Sequence, residues 1–249
     1  MIQLQNISVI FGKNTPLETT VVHNLSLNIQ KKEFVTIIGG NGAGKSTLLN
    51  TIAGDIIPQN GYILIDNINV TKLPTHKRAQ FVSRVFQDPL QGTCAHFTIE
   101  ENLLLAQQRG EIRSLRLAHQ RELIANFQHR LAELNLGLEN RLNSQMGMLS
   151  GGQRQAVSLV MATLKAPKIL LLDEHTAALD PKMAETIMML TNRIIQEEKI
   201  TTLMITHSMH QALDFGSRTL LLQQGKIIKD LPADQRKVLT AQDLLEFFG

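Results

Sequence analysis

The chain has 249 residues, 43% of them apolar and 19% charged, with a formal net charge of +3 and a pI near 9.1. These are globular values that exclude disorder throughout, and the length suffices for one large domain carrying a lobe. The single cysteine, Cys94, excludes an internal disulfide and a multi-cysteine metal site, and fits a small buried or loop residue in a reducing compartment.

In chain order, two β-like stretches, Ile2–Phe11 and 21–29, are separated by a polar turn around Asn14-Thr15-Pro16. The short apolar run Phe34–Ile38 reads as a buried strand and feeds directly into Gly39-Gly40-Asn41-Gly42-Ala43-Gly44-Lys45-Ser46. A helix then opens at Lys45, carries Leu48, Leu49 and Ile52 on its apolar side, and stops at Gly54. Strand, glycine loop and helix together form the context of a phosphate-binding P-loop. Glycines let the backbone turn its amides around phosphate oxygens, and the helix start adds its dipole. Lys45 is placed for the β- and γ-phosphates, Ser46 for a hydroxyl on Mg²⁺.

Further strands are predicted at 62–65 and 82–86, the second followed by Gln87. Beyond Asp88 the pattern turns helical. Thr98-Ile99-Glu100-Glu101 is a capping box, in which hydroxyl and carboxylate satisfy free amides at a helix start. Residues 114–134 place Leu115, Leu123, Ile124, Phe127, Leu131 and Leu134 at helical spacing. Ser150-Gly151-Gly152-Gln153 opens another helix over 153–164 and forms a second glycine-rich anion site, which a P-loop does not itself need. The stretch 88–164 reads as a helical lobe inserted into an α/β core of 1–87 and 165–249, all within one domain. The fold class is therefore α/β: a P-loop core with a mostly parallel sheet, an N-terminal antiparallel β subdomain and an inserted α-helical subdomain.

Ile169-Leu170-Leu171-Leu172 is apolar throughout, as befits a central parallel strand covered on both faces, and it ends in Asp173-Glu174. Asp173 is placed to support Mg²⁺ and Glu174 to orient or deprotonate an attacking water. Asp180-Pro181 starts a helix, with Asp as N-cap and Pro in the first turn. The strand Thr202–Ile205 is followed by His207, a candidate γ-phosphate sensor at the carboxyl edge of the sheet, where ligands of such sheets bind. Gln87 lies at the same edge, in reach of Mg²⁺ or the water. A strand at 219–222, a turn at Gly225 and a short helical tail complete the chain.

From about residue 2 to 230 the chain resembles the nucleotide-binding subunit of an ABC transporter, close to ATPases of bacterial amino-acid importers of the tryptophan/tyrosine type. The second likeness rests on Asp173-Glu174-His175-Thr176-Ala177-Ala178-Leu179-Asp180 and on Gly92-Thr93-Cys94-Ala95. The resemblance implies that Phe11 stacks on adenine, where the family more often has tyrosine. It implies that Gly39 to Thr47 hold the phosphates of ATP, with Gln87 as the Q-loop. Ser150 to Gln153 match the family signature, Asp173 and Glu174 the Walker B pair, Ala178-Leu179-Asp180 the D-loop, and His207 the switch histidine. Two departures stand out. Gly40 replaces a frequent proline, which phosphate binding does not need, and His175 replaces the usual proline as a permitted loop substitution.

The resemblance also implies mechanism and partners. Two copies close head-to-tail over two ATP molecules, each signature covering the γ-phosphate bound by the other copy, and hydrolysis reopens the pair. The helical lobe, hinged near Gln87, receives coupling helices of a membrane permease through an apolar groove around residues 90–105, and a substrate-binding protein belongs to the same system. The expected place is the cytoplasmic face of the membrane, held through the permease, because no apolar run reaches membrane-span length and the start Met1-Ile2-Gln3-Leu4 lacks a leader pattern. Nucleic acid is not an expected partner, since no Lys/Arg block stands out. The alternative reading is an ABC ATPase without a transport role, such as the iron–sulfur assembly type; a non-catalytic nucleotide-binding scaffold is disfavoured by the intact Glu174 and His207.

Overall fold

The computed structural model describes residues 1–111 and 120–247. It begins with the antiparallel strands β1 (Ile2–Phe11) and β2 (Thr19–Ile29), then the buried strand β3 (Phe34–Ile38) and helix α1 (Lys45–Ala53). Strands β4 (Asn60–Ile65) and β5 (Ile68–Asn69), the short helix α2 (Thr75–Arg78) and strand β6 (Val82–Val85) follow. The helical stretch holds α3 (Ile99–Gln107), α4 (Gln120–Ala132) and α5 (Gly151–Thr163). Then come β7 (Ile169–Asp173), α6 (Pro181–Glu198), β8 (Thr202–Ile205), α7 (Met209–Asp214), the hairpin β9 (Arg218–Gln223) and β10 (Lys226–Leu231), and the tail helices α8 (Ala233–Arg236) and α9 (Ala241–Glu246).

The strands form two sheets. The smaller, in the order β2-β1-β4-β5, is antiparallel throughout. The larger, β10-β9-β3-β8-β7-β6, is parallel except at its β10 edge. Its central strands lie between two cores, and alternation along each strand divides the residues between them. Val35, Ile37, Leu171, Leu203 and Ile205 face the smaller sheet and α1, whereas Phe34, Leu170, Leu172 and Met204 face α5 and α6. Period-two alternation is invisible in the sequence of these strands because both faces exclude water.

Helix boundaries follow the local chemistry. Gly54 ends α1 at φ 92°, where a side chain would meet the Arg78 guanidinium. The box at Thr98 forms as expected, with Thr98 accepting from the Glu101 amide and Glu101 from the Thr98 amide. Asp180 accepts from the Met183 amide at 3.0 Å, and Pro181 fills the first turn. Gln224 and Gly225, both at positive φ, turn the β9–β10 hairpin. Of the helix predicted over 114–134, residues 114–119 lie outside the described residues; α4 covers 120–132, with Phe127 and Leu131 buried, and the helix ends before Leu134, which lies in the following turn.

Candidate active site

β3 delivers the P-loop at the carboxyl edge of the parallel sheet, and its glycines are required there for different reasons. A side chain on Gly39 would stand 2.3 Å from the Leu222 carbonyl oxygen, so no other residue fits without moving β9. Gly42 and Gly44 sit at φ 76° and 96°, in the left-handed region. Gly44 also backs onto the Val21 carbonyl, and the Gly225 amide donates to the Ala43 carbonyl, so β2 and the β9–β10 turn brace the loop. Gly40 and Gly42 both face open space, but only Gly42 is at positive φ, so position 40 needs neither glycine nor proline for its shape.

The Lys45 ammonium arches back over the loop, donating to the Gly39 and Gly40 carbonyls at 2.7 and 3.1 Å. Burial lowers its pKa below the ordinary lysine value, opposed by the negative charges of Glu174 and Asp173. Ser46 lies in the first turn of α1 with an exposed side chain, and Thr47 follows it half-buried. A cavity of ≈ 570 Å³ lies against the loop, lined by Gly39, Asn41, Gly42, His207, Gln223 and Leu245 among others. Phe11 ends β1 with 45% of its surface exposed and is no core residue. It pairs with Thr19 on β2, the strand whose Val21 carbonyl touches Gly44.

β7 and β8 are parallel neighbours, and this adjacency brings together two of the three predicted catalytic residues, Glu174 and His207. His207 Nε2 stands 2.6 Å from Glu174 Oε1. Glu174 is strained to φ 48°, a left-handed conformation that costs a non-glycine residue about 1–2 kcal/mol and is typical of functional positions. Its amide is held by the Ile205 carbonyl at 3.1 Å. The histidine loop is tied down in turn: Thr206 donates to Gln211 Oε1 at 2.7 Å, and Ser208 caps α7. His175 is 1% exposed and packs its Nε2 3.1 Å from the Thr191 hydroxyl, a core contact away from the P-loop cavity.

Two neighbours of the predicted site residues carried no signal in the sequence. Arg84 on β6 donates to Asp173 Oδ2 and, at 2.6 Å, to Asn50 on α1. Gln155 on α5 is fully buried and donates to the Phe86 carbonyl at 3.0 Å, joining the helix of the signature to the residue before Gln87. A lone arginine in a strand and a glutamine inside a helix are ordinary in sequence, and only the fold places them beside Asp173 and Gln87. Gln87 itself is exposed.

The signature residues stand apart. Ser150 caps α5 and forms a reciprocal box with Gln153. Gly152 lies so close to α6 that a side chain would meet Met183 at 2.2 Å, whereas Ser150 and Gly151 are exposed. None of residues 150–153 lines the P-loop cavity or the smaller one between Glu174 and Gln211.

The family model for ABC transporters matches residues 22–177, a span that includes the P-loop, Gln87, the signature and the Asp173-Glu174 pair. The chain belongs to the ABC transporter family. Over its whole length this ABC ATPase is 45% identical to a tyrosine transport ATP-binding protein of Clostridioides difficile, 98% of which is covered. It is 36% identical over 84% of its length to the thiamine import ATP-binding protein ThiQ of Escherichia coli, 87% of which is covered. Among solved structures, the dimeric ATP-binding cassette MJ0796 in a post-hydrolysis state bound to ADP and Pi superposes with TM-score 0.79 at 31% identity, covering 94% of this chain and 99% of that one. The ABC ATPase thus has the P-loop α/β cassette fold and is an ATP-binding, ATP-hydrolysing protein of a family whose cassettes form dimers. Among the described residues no helix is long and apolar enough to cross a membrane.

Proposed function

We propose that the chain is the subunit that energises a bacterial importer of amino acids or similar small solutes by hydrolysing ATP. The observation that carries the proposal is the contact between Glu174 and His207, made at the strand ends beside the P-loop cavity. In this reading Gly39 to Thr47 hold the triphosphate, with Lys45 leaving the loop carbonyls for the β- and γ-phosphates. Phe11 offers its exposed ring to adenine. Ser46, Gln87 and Asp173 would hold Mg²⁺. One hydroxyl, one amide and one carboxylate suit this ion, which keeps several waters and takes its remaining ligands from phosphates. There it would supply charge neutralisation at the phosphates. Glu174 accepts a proton from the attacking water, and His207, 2.6 Å from Glu174 Oε1, fixes the carboxylate in the orientation that accepts it.

The signature acts on a second copy. Its exposed Ser150 and Gly151 at the start of α5 form an anion site that does not line the chain's own P-loop cavity, which fits a cap over the γ-phosphate of a head-to-tail partner. Residues 88–164 then form the lobe that meets the permease. In support, Leu90, Phe97 and Leu105 are exposed, and a groove of ≈ 770 Å³ runs past Gln80, Phe86, Gly92, Thr93 and Leu105. Exposed apolar side chains beside a groove are the mark of a docking surface. The nature of the solute is supported by the whole-length relative whose name records tyrosine transport. A substrate-binding protein completes the system, and the chain works at the cytoplasmic face of the membrane, held there by the permease.

The test is Glu174→Gln. The variant is expected to bind ATP as the parent does, to lose turnover by 10²-fold or more, as removal of a general base does, and to run as a dimer on size-exclusion chromatography with ATP. Phosphate release at the parental rate would falsify the assignment of Glu174.

A further inference from the structure

Arg84 is 12% exposed and contributes a rigid fork to three residues at once. One terminal nitrogen donates to Asp173 Oδ2, and the other to Asn50 Oδ1 at 2.6 Å and Asp55 Oδ2 at 3.3 Å, at the end of α1. The guanidinium lies over the Phe86 ring at 4.6 Å, one residue before Gln87. Asp173 Oδ1 makes no hydrogen bond among the described residues. A carboxylate at a strand end beside Glu174 feels like-charge repulsion and is free to rotate about its χ angles. A guanidinium anchored at three points removes both difficulties: it supplies the countercharge, and it immobilises one oxygen while leaving the other uncommitted.

We propose that Arg84 is a positioning residue for the metal side of the site, holding Asp173 by one oxygen so that the other serves Mg²⁺ in the nucleotide complex. The proposal rests on the reading of Asp173 given above. It is opposed by a simple competitor, in which Arg84 merely neutralises Asp173 and must be displaced before a metal can bind. The two differ in sign. A positioning residue strengthens metal binding, as outer partners of metal ligands do; a competitor weakens it.

The experiment measures Mn²⁺ binding to the nucleotide-bound protein by electron paramagnetic resonance, beside ATP binding in EDTA. Arg84→Met is expected to weaken Mn²⁺ binding about tenfold, within the range for loss of such an outer partner, with ATP affinity in EDTA unchanged. Arg84→Lys restores part of the loss, because a point charge lacks the fork. Asn50→Leu removes an anchor of the guanidinium without touching β6, and is expected to weaken Mn²⁺ binding in the same direction by less. Asp173→Asn serves as reference. If Asp173→Asn loses Mn²⁺ while Arg84→Met and Asn50→Leu bind it as tightly as the parent or tighter, the positioning role is overturned and the site reading stands. If Asp173→Asn keeps parental Mn²⁺ affinity, the site reading falls, and the role of Arg84 with it.

Discussion

His175 gives the fold an acid-sensitive point whose size can be worked out. The ring is fully buried, and desolvation pushes its pKa down from 6.5 to about 4. Thr191 spends its one hydroxyl proton on the Ile187 carbonyl at 2.7 Å, so it accepts from His175 Nε2–H, and the neutral ring is the stable form. Because the unfolded chain binds this proton more readily than the folded one, stability is fully present above pH 6.5 and declines as the pH falls toward 4. Linkage between those two pKa values gives a loss of about 2 kcal/mol at pH 5 and about 3 kcal/mol at pH 4. His175→Gln keeps a donor for Thr191 but does not titrate. Urea unfolding of parent and variant between pH 7.5 and 5 isolates the effect, since other titrating groups are common to both. The stability difference between them should shift by about 2 kcal/mol in favour of the variant as the pH falls to 5. Parallel curves over that range would refute the burial argument.

Two further perturbations separate shape from chemistry. Gly39→Ala should abolish ATP binding, because its Cβ would lie 2.3 Å from a backbone carbonyl of β9 that cannot yield, whereas Gly40→Ala, with open space around it, should bind within about twofold of the parent (about 0.4 kcal/mol); equal effects in a fluorescent-nucleotide titration would contradict the loop geometry. Arg78 is fully buried and donates to the Thr51, Ile52, Val70 and Thr71 carbonyls, so Arg78→Met should cost about 3–5 kcal/mol by stranding the end of the P-loop helix. A loss below 1 kcal/mol in urea denaturation would mean that those carbonyls find other partners.

Much of this was legible in the sequence because the chemistry is local. The P-loop glycines and Lys45 are consecutive, so strand, loop and helix can be read without knowing the fold. The boxes at Thr98 and Ser150 are likewise closed within four residues. His207 was readable by its place after a strand, but its contact with Glu174 follows from β7 and β8 being parallel neighbours, a fact of topology. Arg84 and Gln155 were opaque for the same reason: their partners lie 89 and 69 residues away. Short elements were also missed. β5 has two residues and α2 has four, too few for any periodicity to register.

The central claim is that the signature serves a second copy. It is tested most directly in a chain whose exposed Cys94 is replaced by Ser and which carries Ser150→Cys and Asn41→Cys, treated with a short bifunctional maleimide with and without ATP. The head-to-tail reading predicts an ATP-dependent covalent dimer joining position 150 of one chain to position 41 of the other. A cross-link that forms within single chains, with no dimer in the presence of ATP, would contradict it.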